Sequence, residues 1–253
     1  MLKKRVIPVL LLQNGRMVKG VRFADYRDTG SPATAVRIYS AQDADELVFL
    51  DIQASVSSRK SLLGIIREAA RECFMPLAAG GGITSVDEAR ELLAAGADKV
   101  VITTAAYENP GLVSALAERF GSQCVVAGID YKGTREGARV WTRCGTQPTD
   151  AEPIALAQRL ADLGAGEIFL NSIDRDGTMQ GYDLSFAGRV ADAVPVPVVA
   201  CGGAGNFAHL AELLSGTGVS GAACASIFHF GDNNPIRARS FLRNAGIPCR
   251  ILK

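Results

Sequence analysis

Histidine is scarce in this chain of 253 residues, which holds only His209 and His229. Neither falls at the end of a strand-like run. His209 reads as a helix-surface residue and His229, inside "IFHF", as packing or interface, so the commonest acid–base side chain at neutral pH stands away from where chemistry would need it. An excess of charge of one sign is also missing, since 27 Lys and Arg against 26 Asp and Glu leave a formal net charge of +1. Without a long basic run there is no electrostatic footprint for nucleic acid or an anionic membrane surface. No apolar run reaches the roughly eighteen residues of a spanning helix. "MLKKRVIPV" passes straight into strand-like sequence with no small-residue cleavage site, which points to a cytoplasmic protein. The six cysteines (Cys73, Cys124, Cys144, Cys201, Cys224, Cys249) never form CxxC. Most sit in apolar runs, so reduced thiols fit them better than zinc or disulfides, and neither a metal nor another cofactor is expected. A GxGxxG turn after the first strand, which Rossmann-type dinucleotide binding would want, is absent too.

What is present is a regular alternation. Apolar and β-branched runs predict strands over 6–12, 47–52, 76–79, 99–103, 124–130, 167–171, 196–201 and 220–225. Between them lie amphipathic stretches such as "SVDEARELLAAGA", "NPGLVSALAERFG" and "AEPIALAQRLADLGA", which open on capping residues or close on Gly and read as helices. Eight βα units without a linker predict an α/β protein of one domain, a (βα)8 TIM barrel over residues 1–253. The chain also repeats. "ELVFLDI" returns as "EIFLNSI", and "PLAAGGGITSVDEARELLAAGADKVVITTAA" as "PVVACGGAGNFAHLAELLSGTGVSGAACASIF". Two similar half-barrels, about 1–120 and 121–253, are the economical reading, because four strands alone leave open sheet edges.

Quasi-twofold symmetry makes each element in one half predict a counterpart in the other. Gly80 to Gly82 and Gly202–Gly203 both follow a strand and precede a helix, where backbone N–H groups can close on an anion. After the next strands come Thr103 and Thr104 in one half and Ala225 and Ser226 in the other. Gly81, Gly82, Thr103, Thr104, Gly202, Gly203, Ala225 and Ser226 are therefore candidate phosphate-binding residues, for a small ligand with one phosphate at each side of the barrel mouth.

The same symmetry applied to the acids gives an asymmetry. "VVAGIDYKG" ends the fifth strand with Asp130 at its carboxyl end, where barrel enzymes keep catalytic groups. The matching place in the first strand, "VIPVLLLQNG", falls on Leu10 or Leu11. Asp51 and the loop acids Asp174, Asp176 and Asp183 of "SIDRDGTMQGYD" are the other carboxylates expected near the mouth. For Asp174 and Asp176, a turn held by its own Asx bonds and a ligand-binding role are both open. Residues 13–30 read as a long loop that brings Lys19 near the mouth, either solvated or facing a phosphate. Residues 131–150, "YKGTREGARVWTRCGTQPTD", read as a small hairpin over the mouth, with Trp141 serving its packing. Arg5, Glu46, Lys99 and Glu167 each begin a strand and should meet at the opposite, amino-terminal end as a salt-bridged layer.

The stretches "ADELVFLDI", "GGGI", "GADKV", "TTAA", "FGSQ", "GAGEI", "SIDRDGT", "GYD", "GGAGN" and "ASIFHF" resemble the HisF family, the cyclase subunit of imidazole glycerol phosphate synthase, over essentially the whole chain. The resemblance implies a lyase-type subunit of a glutamine amidotransferase complex. Such a barrel docks a HisH-type glutaminase on its amino-terminal face and takes up ammonia through a gate matching Arg5, Glu46, Lys99 and Glu167. It then uses the ammonia on a bisphosphorylated substrate in histidine biosynthesis. Asp98 resembles a residue at that glutaminase interface, and Lys19 and Asp176 resemble mouth residues facing substrate. The resemblance also makes Asp130 one of a catalytic pair whose other aspartate aligns with Leu11. Thr103, Asn171, Cys201 and Ala78 replace the family's usual Asn, Thr, Ser and Thr. "LLL", "ECFMP", "EIFLNSIDRDG" and "ACGGAG" are similar to HisF-like paralogues of bacterial surface-polysaccharide gene clusters, which implies ammonia delivery to a sugar amidotransferase. Two alternatives stand beside that expectation: an authentic cyclase in which Asp130 shares the work with Asp51 or Asp176, and a non-catalytic scaffold for the glutaminase.

Overall fold

A computed structural model describes residues 3–53, 56–135 and 137–250. Eight parallel strands run in chain order around a closed barrel: β1 (Arg5–Gln13), β2 (Leu47–Asp51), β3 (Leu77–Gly80), β4 (Lys99–Ile102), β5 (Val125–Thr134), β6 (Glu167–Ser172), β7 (Val198–Cys201) and β8 (Gly221–Cys224). The pairing of β8 with β1, in register Arg5↔Gly221 to Pro8↔Cys224, closes the ring and leaves the barrel without an edge. The outer layer is α1 (Pro32–Ala41), α2 (Val56–Glu72), α3 (Val86–Ala94), α4 (Gly111–Phe120), α5 (Pro153–Asp162), α6 (Leu184–Ala193), α7 (Phe207–Gly216) and α8 (Pro235–Asn244).

Local chemistry fixes these helices. Ser85, Glu152, Asp183, Asn206 and Asn234 each cap a helix by accepting a backbone N–H two or three residues into it, and proline occupies the first turn of α1, α5 and α8, where no N–H is needed. Alternation along the strands separates two cores. Val6, Leu10, Leu47, Phe49, Val100 and Leu170 point outward onto the helices, while Ile7, Val9, Val48, Ala78, Val101, Val126, Phe169, Val199 and Ala223 fill the barrel. Each large side chain buried this way contributes about 1.5–3 kcal/mol. No helix among the described residues is long and apolar enough to cross a membrane.

The first and fifth strands both overrun the barrel and fold back. The hairpin expected over 131–150 is present: β5 pairs with Gly137–Thr142, which pairs with Gln147–Pro148, although Glu136 of its turn lies outside the described residues. The loop expected over 13–30 is instead an antiparallel ribbon, Arg16–Val21 against Ala24–Gly30, with β1 pairing onto it through Leu12↔Met17 and Gln13↔Arg16. Its cause is the two-residue turn Asn14–Gly15, at φ 52° and 74°, the positive values that a tight hairpin demands and that Asn-Gly supplies at low cost.

Candidate functional site

The strands begin on a closed ring of charge. Arg5 pairs with Glu46 at 2.6 Å and with Glu167, while Lys99 reaches both Glu46 oxygens at 3.0 Å and Glu167 at 2.7 Å. Signs alternate around the ring, so each carboxylate has two cations. Burial alone would push the Glu167 carboxyl up, but Arg5 and Lys99 hold it below the usual range, and the same contacts raise the Arg5 guanidinium. Asp98 is exposed beside this ring and also accepts the Leu77 N–H at 2.8 Å, tying down the start of β3. Asp45 does the same for Val6 at 2.9 Å and pairs with the buried Arg239 at 3.0 Å.

Above the ring the barrel is apolar until its mouth, where Leu11, Leu50, Cys201 and Ala225 pack on the inner column. Leu11 is the inward residue and Leu10 is fully buried on the other side, so the symmetry partner of Asp130 is Leu11. The two strands leave the barrel alike: Leu11 opposite Val18 and Asp130 opposite Trp141 are the rungs at which β1 and β5 turn into their antiparallel extensions. Asp130 lies in register with Asn171, whose Nδ2 donates to its Oδ1 at 3.1 Å. Desolvation raises the Asp130 carboxyl to about 7, the Asn171 bond working against the shift and the Asp176 charge with it. A carboxyl held there is a competent acid and a competent base at neutral pH.

Lys19 and Asp176 form a buried pair across the mouth at 2.7 Å, and Asp176 also meets the Phe23 N–H at 3.4 Å. Lys19 is thus neither a solvated loop lysine nor a free one. The two glycine turns match: Gly81 and Gly82 at φ 103° and 65°, Gly202 and Gly203 at 99° and 107°. A Cβ on Gly81 would sit 2.0 Å from the Asp51 oxygen and one on Gly203 2.1 Å from that of Gly181, so only glycine fits. The second pair of turns matches as well. Thr103 (φ −116°, ψ −80°) and Ala225 (φ −123°, ψ −72°) hold nearly the same backbone shape before the short helices Thr104–Glu108 and Ser226–His229. Thr104 commits its hydroxyl to the Arg143 N–H at 2.9 Å, and Ser226 is buried.

Several expected mouth acids have other duties. Asp51 falls on the outward alternation of β2, since Val48 and Leu50 point in, and its Oδ1 accepts the Gln53 N–H at 2.9 Å. It does not share the bore with Asp130. Asp174 holds the hairpin through the Gly133 N–H at 2.8 Å, and Asp183 caps α6 while accepting from the Tyr131 hydroxyl at 3.3 Å. His209 takes the Gly205 N–H at 3.2 Å, and His229, its pKa lowered by burial, donates to the Val9 carbonyl at 3.3 Å. Two contacts went unforeseen: the Asn171 bond to Asp130, and Lys132 standing 3.8 Å over the Trp141 ring. A family model described as histidine biosynthesis protein matches residues 5–234.

Proposed function

The chain belongs to the histidine biosynthesis protein family, and from that premise we propose that it is a HisF-type barrel. It takes ammonia from a HisH-type glutaminase at the charged ring and passes it to a phosphorylated acceptor at the mouth. Its chemistry has diverged from that of the cyclase, and its role is that of a paralogue serving a sugar amidotransferase in surface-polysaccharide synthesis. The observation that carries this reading is the contrast between the two ends of the barrel. The ring keeps all four charges in mutual contact, whereas the inward position symmetric with Asp130 is Leu11.

The physical roles follow from the geometry. Ammonia is neutral and small, so an apolar bore that excludes ions and water suits it, while the ring keeps its charges paired whenever it is closed. The Gly81–Gly82 and Gly202–Gly203 turns, with the matching turns at Thr103 and Ala225, offer two places for phosphate groups at opposite sides of the mouth. Lys19, neutralised by Asp176, lines the approach without adding net charge. Asp130 is left to move protons alone, because a leucine side chain neither gives nor takes one.

One observation favours a second reading, an authentic cyclase of histidine biosynthesis. With its carboxyl near 7, Asp130 is able to serve as acid and base in turn. Asp51 no longer supports that reading, because it faces away from the bore.

The docking half of the proposal is tested by mixing the purified chain with a HisH-type glutaminase and following glutamine hydrolysis. Stimulation by the native chain, lost in Asp98→Ala and Lys99→Ala variants of unchanged circular dichroism, is the expected result. Hydrolysis that the native chain leaves unchanged would contradict it.

A further inference from the structure

Asn171 is 7% exposed on the inner face of β6, and its amide is only half used. Nδ2 donates to Asp130, but Oδ1 is buried without a hydrogen-bond partner. Buried amide oxygens are nearly always paired, because an unmade bond leaves the desolvation penalty unpaid, so an orphan beside a candidate acid marks a place where a donor belongs. The orientation has a reason. Ionised Asp130 only accepts, so the amide presents its N–H to the carboxylate and keeps its oxygen turned away.

The neighbours narrow the choice of donor. In register beside Asn171 stands Cys201, whose thiol is a poor donor, and Leu11 and Leu50 offer none. Below lies the column of Ile7, Val9, Val48, Ala78, Val101, Val126, Phe169, Val199 and Ala223, which holds no polar side chain. Among the described residues with an unpartnered buried polar atom, Asn171 is the one on a barrel strand. A small N–H donor leaving that column therefore meets, at one level of the barrel, the Asp130 carboxylate and the unpaired Asn171 Oδ1 beside it.

We infer that Asn171 is an ammonia-docking residue: its Oδ1 accepts an N–H of ammonia at the top of the bore and holds the molecule beside Asp130 with its lone pair free toward the mouth. The inference rests on the reading of the barrel as an ammonia conduit and adds the place where the cargo waits. Asn171 acts by positioning, and Asp130 is the group it positions ammonia against.

The test is carboxyl-carbon NMR on full-length protein labelled with 13C-aspartate, the Asp130 signal being identified by its loss in Asp130→Asn. Ammonium chloride is titrated at alkaline pH, where much of it is free ammonia, against sodium chloride at equal ionic strength. The native chain should show a saturable Asp130 shift with ammonium alone. Asn171→Leu, and Asn171→Ala if the leucine variant misfolds, should weaken the apparent affinity about fivefold or more, as loss of one hydrogen bond requires. No ammonium-specific shift in the native chain, or an unaltered one in a folded Asn171 variant, overturns the assignment. The glutaminase plays no part in this titration. Stimulated glutaminase with no ammonium-specific shift would therefore remove the docking role alone, and failed stimulation would remove the conduit while leaving this result to stand or fall by itself.

Discussion

Replacing Asp130 by Asn should make the protein's stability less dependent on pH, in a direction set by burial. The carboxyl sits at about 7 in the fold against an ordinary value of 3.8. A raised acid binds its proton more tightly folded than unfolded, so the unfolded chain gives up protons first and stability falls as pH rises from the ordinary value through the folded one. At 1.36 kcal/mol per unit, the linked loss between about pH 5 and about pH 8 is up to about 2.5 kcal/mol. The substituted amide keeps a polar partner for Asn171 and removes only the titration. Urea unfolding of both proteins at the two pH values isolates the effect, because every other titrating group is common to both and cancels. Asp130→Asn should gain on the native chain by up to that amount on going to the higher pH. An equal stability difference at both values would refute the desolvated, raised carboxyl.

Arg239→Ala should destabilise by about 1.5–3 kcal/mol in the same unfolding assay, since it removes the buried cation from Asp45 and leaves the more exposed Arg250 as its partner. Lys19→Met should cost about 3–5 kcal/mol by leaving Asp176 buried and unpaired, and adding Asp176→Asn should recover part of it, the coupling being read from the double-mutant cycle. Gly203→Ala should cost more than about 1 kcal/mol, because it sets a side chain at φ 107° against the Gly181 carbonyl. It should also weaken binding of inorganic phosphate in calorimetry, which a turn remote from phosphate would leave unchanged.

The strands of this barrel are legible in the sequence because their apolar runs recur between capped helices, and the ring of Arg5, Glu46, Lys99 and Glu167 is legible because each opens such a run. The ribbon after β1 was legible and missed: Asn14–Gly15 is the strongest short hairpin signal a sequence carries, and it lies inside a stretch whose composition reads as loop. Asp51 shows a different limit. That it ends a strand can be read from the chain, but which side it faces depends on the parity of the alternation, and a shift of one residue reverses it. The contacts between Lys19 and Asp176 and between Asn171 and Asp130 were beyond reach, because each joins residues far apart in sequence that only closure of the barrel brings together. Thr103 and Ala225 make the converse point: their side chains differ, yet the backbone repeats, so the twofold relation of the two turns is clearer in dihedral angles than in residue names.

The reading stands or falls on what Leu11 does. The decisive measurement is cyclase turnover with the bisphosphorylated substrate of the HisF reaction and ammonium salt, native chain against Leu11→Asp. A missing acid or base costs about a hundredfold to ten-thousandfold in rate, so the native chain should be nearly silent and Leu11→Asp should restore turnover, if only slowly. Brisk turnover by the native chain would contradict the loss of cyclase chemistry and return the protein to histidine synthesis itself.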